Sequence, residues 1–277
     1  MKGDKGTVLC LLLPCNKETE NRPLVSPLLA KNYHKGYTVG MNGPVYRHEL
    51  KYLISEIEAR ILKDRLKERL SPDSHAEKGC YFIRSLYFDD FFDSAYSDKQ
   101  AGTARRRKFR IRTYNYSDDF ISLECKDKEG SYIYKRSAVI SVPELESILN
   151  GDYSFLTKRE EPVLKEFYLS SVSEGLRPAV LVDYDRTPFV LDAGTVRVTF
   201  DEHIRSAFSG GDIFDPGIPV FETLPEGMLI MEVKYTEFFP DTVRELLETG
   251  SPVQTAASKY VMCSDKMRDI RGLTRIV

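Results

Sequence analysis

Residues 105–112 read Arg-Arg-Arg-Lys-Phe-Arg-Ile-Arg, so six of the eight positions are basic. From Lys108 the cations alternate with apolar residues: Lys108-Phe-Arg110-Ile-Arg112. In a β-strand residues i and i+2 share a face, so this stretch sets charge on one side and apolar groups on the other. The same alternation recurs outward in both directions, in Arg47-His-Glu49-Leu-Lys51, Ser122-Leu-Glu124-Cys-Lys126, Tyr184-Asp-Arg186, Arg197-Val-Thr199-Phe-Asp201 and Ile230-Met-Glu232-Val-Lys234. One such strand is an ordinary solvated face. Six of them, with apolar opposite faces suited to packing against helices, predict an inward-facing charged wall.

Magnitude decides what that wall encloses. An unpaired buried ion costs several kcal/mol, against a fold stability of roughly 5–15 kcal/mol. A barrel with many inward cations is therefore expected to be hydrated and loaded with anions. Arg110, Arg112, Arg186 and Arg197 supply planar forks that match phosphate oxygens, and Lys51, Lys126, Lys234 and Lys259 supply compact charges. Glu49, Glu124, Asp201 and Glu232 read as ion-pair partners or as ligands of a hard divalent cation, with Glu232 the preferred metal ligand. Mg²⁺ and Mn²⁺ take few protein carboxylates and fill their shells with phosphate and water.

The rest of the chain narrows the class. Its 277 residues carry a net charge of only −2, so the basicity is local and no general nucleic-acid binder is expected. A hydrophobic fraction of 42% with 30% charged residues is that of a folded globular chain. Five scattered cysteines (Cys10, Cys15, Cys80, Cys125, Cys263) form no ligand set or disulfide framework, which suits a reducing, cytoplasmic setting. No apolar run approaches the ~20 residues of a membrane span, so no membrane insertion is expected. Residues 1–40 lack sustained periodicity and read as a poorly ordered extension; the functional domain is expected over 41–277.

Within that domain Ser55 and Glu58 form a capping box, followed by an apolar stripe of Ile57, Ile61, Leu62, Leu66 and Leu70. Strands are expected at 46–53, 81–89, 105–116, 120–127, 133–141, 179–186, 189–191, 196–207 and 228–235. Helices are expected from Ser141, over 161–173, 241–248 and 255–267. Many strands with short helical insertions, and no regular βαβ alternation, predict an α+β fold built on an antiparallel barrel with helices packed outside. The histidines are too dispersed for a metal cluster, and none is assigned a catalytic role.

Eight motifs then follow one another in order: Tyr46-Arg47-His48-Glu49-Leu50-Lys51-Tyr52, Ser85-Leu86-Tyr87-Phe88-Asp89, Phe109-Arg110-Ile111-Arg112, Glu124-Cys125-Lys126, Val182-Asp183-Tyr184-Asp185-Arg186, Val196–Asp201, Met231-Glu232-Val233-Lys234 and Ala257-Ser258-Lys259-Tyr260. Their order resembles the vacuolar transporter chaperone (VTC) domain, a polyphosphate polymerase domain of the triphosphate tunnel fold, over about Met41 to Met267. The resemblance implies a tunnel that binds ATP and polyphosphate, and Mn²⁺- or Mg²⁺-dependent transfer of the γ-phosphate onto a growing chain. It places Lys51, Arg110, Arg112, Lys126, Tyr184, Arg186, Arg197, Ser258 and Lys259 on phosphate and Glu232 on the metal. Lys234, Glu49 and Glu124 join the substrate-binding set as neighbours on the same charged faces. Triphosphatases and adenylate cyclases of that fold begin with Glu-x-Glu-x-Lys; here Arg47 stands at the first Glu position, which favours the polymerase branch. Triphosphate hydrolysis, and binding of polyphosphate or inositol phosphates without turnover, are the competing readings. A membrane or regulatory partner is left unspecified.

Overall fold

The computed structural model describes residues 48–272, apart from 77, 131, 237 and 249–252. The expected leader over 1–40 and the substituted position Arg47 lie outside the described residues. Among the described residues eleven strands form one antiparallel sheet. Along the chain, β1 (His48–Ser55) leads into α1 (Glu56–Lys67), then come β2 (Ser71–Pro72), β3 (Tyr81–Asp89), α2 (Ser94–Gln100), β4 (Arg105–Tyr114), β5 (Ser117–Glu129) and β6 (Tyr132–Ile140). After α3 (Val142–Leu149) and α4 (Pro162–Ser173) the chain returns in β7 (Arg177–Leu191), β8 (Val196–Phe208), β9 (Phe221–Glu222) and β10 (Met228–Tyr235). It closes with α5 (Asp241–Leu247), β11 (Val253–Gln254) and α6 (Lys259–Ile270). The spatial order is β11-β1-β10-β8-β7-β3-β4-β5-β6, with β2 on β7 and β9 on β8.

The two ends of this sheet curl toward each other. β1 and β6 come within 8 Å Cα to Cα, yet among the described residues no ladder joins them. Side chains span the seam instead: Lys126 Nζ on β5 lies 2.7 Å from Glu49 Oε2 on β1. The expected antiparallel α+β architecture holds, with a rolled sheet in place of a barrel closed through its backbone.

Period-2 alternation sorts the faces as expected. Outward Phe109, Ile111, Leu123 and Cys125 pack under α3 and α4 with Leu145, Ile148, Leu164 and Phe167. Outward Val196, Val198, Phe200, Met231 and Val233 pack under α1 and α5 with Leu62, Leu66 and Val243. Both capping boxes form, Ser55 with Glu58 and Ser141 with Glu144. The α1 stripe is narrower than expected: Leu62 and Leu66 are buried, but Ile57 and Ile61 are exposed. β7 runs unbroken through Pro188, because the sheet continues on both sides of it. α6 is set apart from the other helices, since its Tyr260, Val261, Cys263 and Met267 pack on Ile83, Tyr87, Val182, Tyr184 and Ile230. These residues share the inward parity of Arg110, Arg186 and Glu232, so α6 fills part of the concave face.

Candidate phosphate-binding cavity

The rolled sheet encloses a cavity of about 830 Å³. Of the residues singled out from the sequence, Lys51, Arg110, Arg112, Lys126, Arg186, Arg197, Lys259, Tyr184, Lys234, Ser258, Glu49, Glu124 and Glu232 line it, and Asp201 does not. Thirteen basic side chains line the wall in all, against three carboxylates. The sheet brings them together because inward positions on neighbouring strands fall in register. Glu49 faces Lys234 and Lys51 faces Glu232 between β1 and β10. Lys234 in turn faces Arg197, Arg186 faces Asp201, and Arg110 faces Glu124.

The carboxylates act as hubs. Glu232 Oε2 accepts from Lys234 Nζ at 2.8 Å and Oε1 from Lys259 Nζ at 3.0 Å; Lys51 and Arg186 stand 3.5 and 3.7 Å away. Burial works to raise its pKa, but Lys234, Lys259, Lys51 and Arg186 outweigh it and hold the carboxyl well below its usual range. Asp201 sits outside the cavity lining, fully buried behind it. It takes two parallel bonds from Arg186 and an ion pair from Lys259 at 2.5 Å. Glu124 binds Arg110 at 2.6 Å and Lys135 at 2.6 Å, and against its burial Arg110, Lys135 and Arg112 keep it ionised. Arg112 has no carboxylate partner among the described residues and donates to Ser85 Oγ and Tyr184 Oη at 3.2 and 2.9 Å.

Two strips outside the alternating strands complete the wall. The segment 254–258 is stitched to β1, through Thr255 N to Lys51 O at 2.8 Å and Lys51 Nζ to Ala257 O at 3.0 Å. Between β2 and β3, Asp73 pairs with Arg197 and accepts from His75 Nδ1 at 2.7 Å. His75 lines the cavity, which the dispersal of histidines along the chain did not suggest. Lys108 and Lys135 also line it. Lys108 was legible in the 108–112 alternation, whereas Lys135 is followed at once by Arg136 on the opposite face, so its strand shows no single charged side.

Glu232 offers an ionised oxygen on the cavity wall, the donor type that a hard divalent cation takes, and such a cation would displace the ammoniums of Lys234 and Lys259 from its two oxygens. A different group, Cys125, Asp127 and Glu166, brings three ligand atoms within 4.8 Å. It lies on the outer face, away from the cavity, where the Arg136 guanidinium pairs with both Asp127 and Glu166.

No curated protein matches the sequence. Among solved structures the chain is similar to a Bacillus halodurans protein named as a "putative adenylate cyclase", at 11% identity, over 85% of this chain and 95% of that one, with a TM-score of 0.41. It is also similar to a Hippeastrum protein described as having a dominant triphosphatase activity, at 12% identity, over 74% and 84% of the two chains, with a TM-score of 0.43. The VTC domain model matches residues 46–268, and the chain therefore belongs to the VTC domain family.

Proposed function

We propose that this chain is a polyphosphate polymerase, transferring the γ-phosphate of ATP to the end of a growing polyphosphate chain with release of ADP. The observation that carries the reading is the excess of thirteen cations over three carboxylates on one cavity wall. A terminal phosphate oxygen forms the new bond to the γ-phosphorus, and the bond to the bridging β–γ oxygen breaks. The attacking atom belongs to phosphate, so no side-chain nucleophile is needed. Arg110, Arg112, Arg186 and Arg197, with Lys51, Lys126, Lys234 and Lys259, hold the phosphates in line and spread the developing charge. Tyr184 and Ser258 contribute neutral hydroxyls. Glu232 is the residue that would hold Mn²⁺ or Mg²⁺, whose charge would offset that of the phosphates.

Hydrolysis is the second reading, favoured by one observation: His75, backed by Asp73, is a cavity-wall group suited to taking a proton from water. Incubating the purified chain with ATP and Mn²⁺, then running the products on a gel stained for polyphosphate, separates the two. Polymer together with ADP is the expected result. ADP and orthophosphate without polymer identify a triphosphatase, and binding without nucleotide turnover identifies a phosphate sensor.

A further inference from the structure

The motif Ser85–Asp89 at the end of β3 ends on a carboxylate that the cavity wall does not use. Asp89 is buried outside the cavity lining, and both of its carboxylate oxygens are filled by donors. Asp90 N and Ala95 N donate to Oδ1 at 2.9 and 2.8 Å, Tyr96 N donates to Oδ2 at 3.0 Å, and the Tyr260 hydroxyl of α6 donates to Oδ2 as well. α2 depends on this carboxylate, because its own N-cap residue Asp93 makes no side-chain cap bond and pairs instead with Arg268 of α6 at 2.8 Å. Tyr96 of α2 donates in turn to Asp265 of α6. One buried carboxylate at the end of β3 thus fixes two helices at once.

The start of α6 carries two residues of the site. Ser258 precedes the helix and Lys259 opens it, and both line the cavity. Tyr260 follows directly. Burial and the Asp89 charge push its phenol up, so it keeps its proton and donates. Its ring stacks on Tyr87 with centroids 5.2 Å apart, and Tyr87 Oη accepts from Arg110 Nη1 at 2.9 Å. Lys108 Nζ lies 4.7 Å from the centre of the Tyr260 ring and 3.3 Å from Ser258 Oγ. A hydrogen-bonded helical turn moves as a body, so a displaced Tyr260 draws Lys259 away from Asp201 and Glu232, its two carboxylate partners.

We infer that Asp89 is a positioning residue of the phosphate site: through Tyr260 it sets the first turn of α6, and with it the place of Ser258 and Lys259 in the cavity. This rests on the phosphate reading of the cavity and extends it to a residue that touches no ligand.

A double-mutant cycle on tripolyphosphate affinity, read by isothermal titration calorimetry well below the melting temperature, separates positioning from stability. Asp89→Asn keeps the side chain's size but sets an amide NH₂ against donors, and is expected to weaken binding by about tenfold per folded molecule. Lys259→Met should weaken it by about tenfold or more. Because Asp89 acts through α6, the double variant should bind within about twofold of Lys259→Met alone. Tyr260→Phe keeps the ring on Tyr87 and removes only the hydroxyl; it should lose about threefold, and it carries the same cycle if circular dichroism shows Asp89→Asn unfolded. Lowered melting temperatures with unchanged affinity of the folded molecules, or losses that multiply in the double variant, overturn the inference and leave the phosphate reading standing. Wild-type protein that binds no tripolyphosphate overturns both.

Discussion

Arg186 and Asp201 face each other across β7 and β8, joined by two parallel bonds, Nε to Oδ1 at 2.6 Å and Nη2 to Oδ2 at 2.7 Å. Asp201 also holds Lys259 of α6 at 2.5 Å, so one buried carboxylate ties the helix on the concave face to the sheet beneath it. Removing it leaves two buried cations with Glu232 as the one carboxylate in reach among the described residues. Asp201→Asn is expected to destabilise the fold by about 3 kcal/mol in urea unfolding. A loss below about 1 kcal/mol would mean that water already relaxes these cations.

Arg110 and Arg112 offer a sharper contrast, because they are two residues apart on one face but differently compensated. Arg110 carries the Glu124 ion pair and the Tyr87 hydroxyl at 2.9 Å. Among the described residues Arg112 has hydroxyl partners and no carboxylate, and it stands beside Arg110, whose charge opposes its own. Arg110→Met should lower stability by roughly 1–3 kcal/mol, because Glu124 is left with Lys135. Arg112→Met should be neutral within about 1 kcal/mol, and both should lose phosphate binding. Equal stabilities for the two variants in chemical denaturation would contradict this assignment.

These contrasts mark where the sequence stops being legible. Alternation in Lys108–Arg112, Glu124–Lys126 and Glu232–Lys234 discloses which side chains share a face, since strand periodicity is local. It discloses no partner on another strand. Lys126 finds Glu49 across the seam, Arg197 finds Asp73 in the loop before β3, and Lys259 finds Asp201 and Glu232 from a helix. Each pairing depends on sheet order and on where α6 packs, and neither has a local signature. His75 has no local signature for the same reason: its orienting carboxylate is two residues away, but the cavity it lines is assembled from β1, β10 and the strands β3 to β8.

Ligand linkage follows from the charge excess. An anion that binds only the folded state stabilises it by about 2.7 kcal/mol at a hundred times its Kd. Tripolyphosphate should therefore raise the melting temperature by several degrees at low ionic strength. Because about 10 Å of screening operates at 0.1 M salt, the gain should shrink as sodium chloride is added. Glu232→Gln should keep much of the metal-free gain but lose the further increment given by Mn²⁺. An unchanged metal increment in that variant would move the cation site away from Glu232.

The pH dependence carries a sign set by the lysines. Burial and neighbouring cations bring Lys108 down to about 7. Burial, outweighing Glu124 and aided by Arg110 and Arg112, brings Lys135 to about 8. Burial also outweighs Glu232 and Glu49 in bringing Lys234 to about 8. Between those values and the ordinary lysine pKa near 10.4, the unfolded chain holds protons that the folded chain has released. Stability then rises with pH across this window, from about 7 to about 10. The carboxylates act at the opposite end: Glu124, Glu232 and Asp201 have folded pKa values below their unfolded ones. Their stabilisation is present above about pH 4 and is lost as pH falls through the folded values. Urea midpoints measured from pH 6 to pH 9.5 should climb, and Lys108→Met should raise the midpoint at pH 7 while flattening that climb. Saturating polyphosphate should flatten it too, since bound phosphate returns the lysine protons. A midpoint that falls steadily over this range would show that the interior ammoniums keep their protons in the empty cavity.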